Sequence, residues 1–309
     1  AIRQCAYGSP QVFQVLSNPS DFSDLKSLMA SATEPAERYL VSVGVSRPYP
    51  AQHLEAWLKA EPNSPDALLC YGARLLQYSW STRGYSRGHE ISEGSAKLFF
   101  ESLKQTKEVL MRCTEVAPED PTPWAYLIMA STWHTDDIET RSVYFQEATK
   151  RDPNNWPAHM HMTVALSEKW GGDNEDMKHF AEGVARDADE GSDLPIVLLK
   201  SYIEYWKYLD TFKEQHQQAE EFLNFEWIQE RAQDAYNKSL GSPQHVDTST
   251  SIFARYNASS WFWIVRNKDY LKKELDILGN KIEDIHWRWA GSEGHLDHAR
   301  DWAGSDPGF

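Results

Sequence analysis

Glu115-Val-Ala-Pro118-Glu-Asp-Pro-Thr-Pro-Trp124, Lys150-Arg-Asp-Pro153-Asn-Asn-Trp-Pro157-Ala-His159 and Ala185-Arg-Asp-Ala188-Asp-Glu-Gly-Ser-Asp-Leu194 are three versions of one passage. Pro118 and Pro153 are 35 residues apart, and Ala188 follows Pro153 by another 35. Eight residues ahead of the second and third landmarks stand Phe145 and Phe180, each followed three on by a small residue, Ala148 or Gly183. A period of that length holds two helices and a turn, the turn lying where Pro, Asp and Asn cluster. Phe145 and Phe180 are therefore expected at equivalent buried positions of consecutive repeats.

Outward from this passage the same grammar continues. Leu54, Trp57 and Leu58 share one face of a helix over 51–60, and the next helix, 65–82, turns Leu68, Leu69, Leu75 and Leu76 inward. Arg83-Gly-Tyr-Ser-Arg-Gly88 breaks it, and Ser92 caps a helix to Val116. Pro62 precedes Pro118 by 56 residues, so this repeat carries an insertion of about 21. Further helices are predicted over 122–134, 139–151, 156–169, 173–187 and 193–210. Residues 1–50, broken by five prolines, read as an N-terminal helical cap, and 51–210 as the repeat array. After Leu209 the rhythm fades into non-repetitive helices near 213–223, 226–240, 247–265, 267–284 and 293–303. This C-terminal region, 211–309, is expected to pack on the repeats and make one compact unit with them. No strand-like alternation is present.

Composition narrows the function. A hydrophobic share of 41% and a charged share of 25% belong to a folded chain. The net charge of −15 disfavours nucleic acid and anionic membrane as partners. The longest apolar run, Leu194-Pro-Ile-Val-Leu-Leu199, is too short to span a bilayer. Cys5, Cys70 and Cys113 fit neither a disulfide framework nor a zinc ribbon, and no signal peptide opens the chain, so a reducing, cytoplasmic setting is expected.

The spacing resembles tetratricopeptide repeats, in degenerate form, over about 51–210. Trp124-x-x-Leu127 fits the start of that motif and Phe145…Pro153 its end. Ile128, Ser131, Arg141 and Ala188 depart from it. Trp80-Ser-Thr-Arg83-Gly84, Pro118-Glu-Asp-Pro121-Thr-Pro-Trp124, and Lys169-Trp-Gly-Gly172 with Met177 and Phe180, are similar to stretches of uncharacterised bacterial TPR-like helical-repeat proteins, a domain of unknown function. The resemblance implies an all-α, TPR-like superhelical array and supplies no catalytic residues.

In such arrays the first helix of each pair lines the concave face. Seven, eleven and fourteen residues past the landmarks come Leu69, Ala125, Met160 and Pro195; Ala73, Met129, Val164 and Leu199; Leu76, Thr132, Ser167 and Tyr202. These columns are mostly apolar and need a cover, for which the aromatic-rich C-terminal helices are the expected candidate. Trp80, Arg83 and His89, at the insertion, form the one polar and aromatic cluster on a long connection. With Trp133, His134, His159, Lys169, Trp170 and Tyr202 they make the candidate binding residues. Arg74, Lys169 and Glu204 are expected to form ion pairs between helices.

His159 and His161, two apart, face different sides of a helix and cannot share a metal. His295, His298 and Asp301 could share a face, but a short terminal helix is a poor metal frame. Asp136-Asp-Ile-Glu139 reads as carboxylates at a helix start. No phosphate loop, nucleophile elbow or zinc-protease motif is present, so no cofactor and no catalytic residue is expected. The reading is a non-enzymatic module that binds another protein. The alternative is a small-molecule binder or enzyme with an aromatic-lined pocket between the repeat groove and the C-terminal helices.

Overall fold

The computed structural model describes Val15, Trp287 and residues 20–46, 49–83, 91–282 and 296–305. Within these the chain forms fifteen α-helices and no strand. None of the helices is long and apolar enough to cross a membrane. The chain divides into two compact units, one ending at Ala165 and the other continuing from Leu166, within the stretch that carries the 35-residue rhythm.

The N-terminal unit holds α1 (Ser23–Ser31), α2 (Pro35–Val45), α3 (Ala51–Ala60), α4 (Pro65–Arg83), α5 (Glu93–Val116), α6 (Thr122–His134), α7 (Ile138–Arg151) and α8 (Trp156–Ala165). Ser92 and Asp137 start α5 and α7 by accepting from the backbone N–H three residues on. Helix α4 packs on α5 and α6, α5 on α6, and α6 on α7 and α8. The α4–α5 approach is close enough that a Cβ at Gly72 would fall 2.5 Å from the side chain of Leu110, itself fully buried. Leu69, Ala73, Leu76, Ala125 and Thr132 are buried, while Met129 and Val164 are half-buried.

Helix α2 lies against both α4 and α6. Arg38 bridges Asp66 and Asp120, both at 2.8 Å. Burial works against the Arg38 charge, and the two carboxylates outweigh it and raise its pKa. The next residue, Tyr39, stacks on Tyr126 with centroids 5.2 Å apart. Cys70, Tyr126 and His161 each stand eight residues past a landmark, so what the sequence leaves as a cap reaches the repeat helices along one column.

The C-terminal unit holds α9 (Asn174–Asp187), α10 (Ile196–Lys207), α11 (His216–Asn224), α12 (Glu226–Lys238), α13 (Ser251–Ile264), α14 (Lys268–Leu278) and α15 (Leu296–Ala303). Helix α10 packs against α9, α11, α12 and α13, which bury Leu199 and Tyr202 completely. Gly191 (φ +85°) donates to the Lys238 carbonyl at 2.7 Å, and a Cβ there would meet the backbone of Gln244 at 2.8 Å. Glycine is thus required both by conformation and by space.

Several expectations need correction. Phe145 and Phe180 are only half-buried. On α7 the innermost residues are Arg141 and Ala148, and on α9 they include Met177, Ala181 and Ala185. Small side chains let the helices approach, which puts each ring beside the contact rather than beneath it. Arg141, a departure from the repeat motif, donates to the Ala165 carbonyl at 2.8 Å and so closes the end of α8. That helix stops there, short of 169, and a separate 3-10 turn covers Glu168–Trp170. Among the described residues Arg74 forms no ion pair, contrary to expectation; it donates to the Ser46 carbonyl at 3.1 Å. Beyond Lys207 the chain widens into a π turn, Tyr208–Phe212. Residues 84–90 of the insertion, including His89, lie outside the described residues, as do Cys5 and His295.

Candidate functional site

Helix α12 buries Ile228, Ala232, Ala235 and Tyr236, a stripe at i, i+4, i+7 and i+8. Trp227 and Arg231 stand one position off that stripe and one helical turn apart, so both emerge on the same exposed edge. The Arg231 guanidinium lies over the Trp227 ring, 5.2 Å from its centroid, and pairs with Glu182 of α9. Phe225, the extended residue joining α11 to α12, stacks on Trp227 at 6.2 Å. Phe225 is 50% and Trp227 46% exposed, a large apolar area for an ordered junction and helix start to leave in water.

The opposite wall is α9. Asp173 starts it, accepting from the backbone of Glu175 and Asp176. Its stripe of Met177, Ala181 and Ala185 goes inward and leaves Glu175, Lys178, His179 and Glu182 toward α12. The resulting cleft has a volume of about 470 Å³ and is lined by those four residues with Trp227 and Arg231. Lys178 is already spent, with Glu175 at 2.7 Å and the Tyr205 ring at 4.2 Å. Behind the cleft Tyr202 is fully buried, and its hydroxyl meets no hydrogen-bond partner among the described residues. Burial pushes that phenol up to about 12; Glu182 adds to the shift and Arg231 opposes it. A second cleft, of about 490 Å³, is lined from α12 by Gln229, Glu230, Gln233 and Asp234, and beyond it by Trp261, Phe262, Val265 and Asn267.

Four of the residues singled out in the sequence come together elsewhere, in the N-terminal unit. Trp80 meets Trp133 edge-on at 4.9 Å and Phe99 at 5.8 Å. Arg83 lies 4.9 Å over the Trp80 ring, and burial lowers its pKa. His134 packs on Phe100 and holds Asp136 at 2.7 Å, a carboxylate that Lys107 also binds. The rings saturate one another, so this cluster is an aromatic seam with a charged rim. Asp137 caps α7, in line with a helix-start role for the acidic run.

The others are dispersed. His159 is buried edge-on to Phe145, and burial lowers its pKa. His161, two residues on, faces Tyr39 instead. Its Nδ1 lies 2.8 Å from the Ala125 carbonyl and must donate, which leaves Nε2 to accept from the Tyr39 hydroxyl at 3.2 Å. Burial lowers the His161 pKa to about 4. Lys169 is not an open cation: it pairs with Glu204, which also takes Lys200 at 2.8 Å. Burial alone would raise the Glu204 pKa, and the two ammonium groups hold it well below the carboxylate range. Trp170 is half-buried at the end of its 3-10 turn. Among the described residues no group of three His, Cys, Asp or Glu side chains could hold a metal ion.

Sequence reasoning missed a polar network in the C-terminal unit. Tyr236 donates to Glu274 at 2.6 Å, Arg255 bonds Glu274 at 2.9 Å and Asp247 at 2.8 Å, and His245 reaches Asp247 at 3.0 Å and the Gly191 carbonyl at 2.8 Å. Ser251 and Thr248 donate to Asp193, whose carboxyl pKa burial raises. Ser251 is committed to that carboxylate and both nitrogens of His245 are engaged, so nucleophile and base are not joined. The network ties elements that are distant in sequence. Trp227 and Arg231 were missed too, though their step off the apolar stripe of α12 was a signal available in the sequence. No protein-family model and no curated protein matches the chain.

Proposed function

We propose that this protein is a non-enzymatic, TPR-like helical-repeat module that binds another protein. The observation that carries the reading is the stacked pair Phe225 and Trp227, held half in water at the start of α12. Aromatic and Arg side chains displayed in this way are the usual anchors of protein interfaces. The packing of α4 on α5 and α6, and of α6 on α7 and α8, supports the repeat reading, since each first helix meets its own partner and the next first helix. Buried free thiols at Cys70 and Cys113 suit a reducing compartment such as the cytoplasm.

Native mass spectrometry of the intact protein, isolated under mild conditions from cells that make it, tests the proposal. A second polypeptide at fixed stoichiometry is expected. A small molecule retained at one equivalent, with no polypeptide, would favour a ligand-binding protein and overturn the reading.

A further inference from the structure

The exposed face of α12 is aromatic at one end and acidic along its length. From 214 to 234 the chain carries six carboxylates and, of Lys and Arg, only Arg231. Arg231 is already tied to Glu182 and Trp227. Glu226, Glu230 and Asp234 are exposed and make no ion pair among the described residues. Glu230, Arg231 and Asp234 follow Trp227 at i+3, i+4 and i+7, so anchor and carboxylates run along one side of the helix. A cleft flanks each side of that row.

Resting on the module reading above, we propose that this face of α12 is the docking surface and that its occupant is a basic amphipathic helix of another protein. Such a helix would lay an apolar stripe against Phe225 and Trp227 and set Lys or Arg side chains over Glu226, Glu230 and Asp234. Each carboxylate stays solvated in the free protein, so pairing comes without a buried unpaired charge. A second copy of the chain fits poorly, because two-fold pairing would oppose like charges on a molecule that already carries −15. Nucleic acid and anionic lipid are repelled for the same reason.

The test is calorimetric titration of the intact protein with a synthetic Lys/Leu amphipathic peptide of about four helical turns, against a Glu/Leu peptide of the same pattern. One Lys/Leu peptide per protein is expected, and no Glu/Leu binding. Trp227→Ala should weaken the complex about tenfold or more. The double change Glu226→Lys with Glu230→Lys should weaken it comparably, without altering the aromatic anchor. The control Glu115→Lys with Glu119→Lys, on exposed carboxylates of the N-terminal unit, should leave affinity within about twofold. If the control weakens binding as much as the α12 variants, general surface charge is the cause and the assignment falls. If Trp227→Ala binds like wild type, or the Lys/Leu peptide does not bind, the surface or the partner class is wrong. Neither result touches the module reading, which fails only if native mass spectrometry finds a small molecule in place of a polypeptide.

Discussion

The two units bury polar groups among helices in opposite ways. In the N-terminal unit the buried chain is neutral: Tyr126 donates to Ser42 at 2.9 Å, Ser42 to the Tyr39 carbonyl, and Tyr39 to an uncharged His161. Its Arg38 ion pairs with Asp66 and Asp120 stand beside that chain, and its buried Arg141 donates to the Ala165 carbonyl. In the C-terminal unit the charges themselves go inside, as Lys169–Glu204–Lys200 and as Tyr236–Glu274–Arg255, and the last of these reaches out to an exposed Asp247. A neutral network loses little when one member is removed. A charged one strands its remaining partners in a poor solvent.

The largest expected effect follows from that contrast. Glu274 is wholly buried, and Glu274→Ala should cost about 3–5 kcal/mol in denaturant unfolding, because Arg255 and Tyr236 lose their acceptor. The double change Glu274→Leu with Arg255→Met should recover much of the loss. A cost near 1 kcal/mol for the single variant would erase the distinction between the units.

The next effect is one of pH. Burial holds the His161 pKa at about 4, against about 6.5 in an unfolded chain. Below pH 6.5 the unfolded chain takes up a proton that the folded one refuses. Stability present above about pH 6.5 is therefore lost as pH falls toward 4, by up to about 3 kcal/mol. Unfolding free energies of wild type and His161→Gln, measured from pH 7 to 4.5, should converge as the pH drops. Parallel curves would mean that the imidazole is not held neutral.

Smaller still is Ser42→Ala, which removes one link of the neutral chain and should cost about 1 kcal/mol. Phe145→Ala, truncating a half-buried ring, should cost about 1–2 kcal/mol, less than the 3–5 typical of a deep core position. The smallest is Trp227→Ala, which should move stability by no more than about 0.5 kcal/mol while its binding defect is large. A marked loss of stability would make Trp227 part of the core and not an anchor.

What the sequence made legible was periodic. The 35-residue step located the turns at 117–121 and 152–155, and helix spacing identified Leu69, Ala125 and Leu199 as interior. The docking of α2 across α4 and α6 was hidden, because Arg38, Tyr39 and Ser42 find partners more than 25 residues away and no local pattern records such pairing. The candidate site was legible only in part. Trp80, Arg83, Trp133 and His134 do converge, but into a seam whose rings satisfy one another. Lys169 and Glu204 were legible as ion-pairing residues, and they do pair with one another across 35 residues, which leaves Lys169 no free charge for a ligand. Tyr202, counted to the concave face and to the candidate binding residues, is instead fully buried, while the Trp227 cleft beyond it depends on helix phases that local patterns leave free.

Phase gives the single-residue junction at Phe225 a further meaning. With α11 ending at Asn224 and α12 starting at Glu226, the link contains no slack to absorb a change in register. Adding one residue there would ask α12 to turn by about 100° about its axis, or else to be carried about 1.5 Å along it. Turning would carry Ile228 toward solvent and draw a charged neighbour inward, so the stripe would resist and the mismatch would fall on α11. The junction therefore acts as a gear tooth: it indexes Trp227 and the carboxylate row to the scaffold, and loops elsewhere in the chain can drift in length more freely than this one.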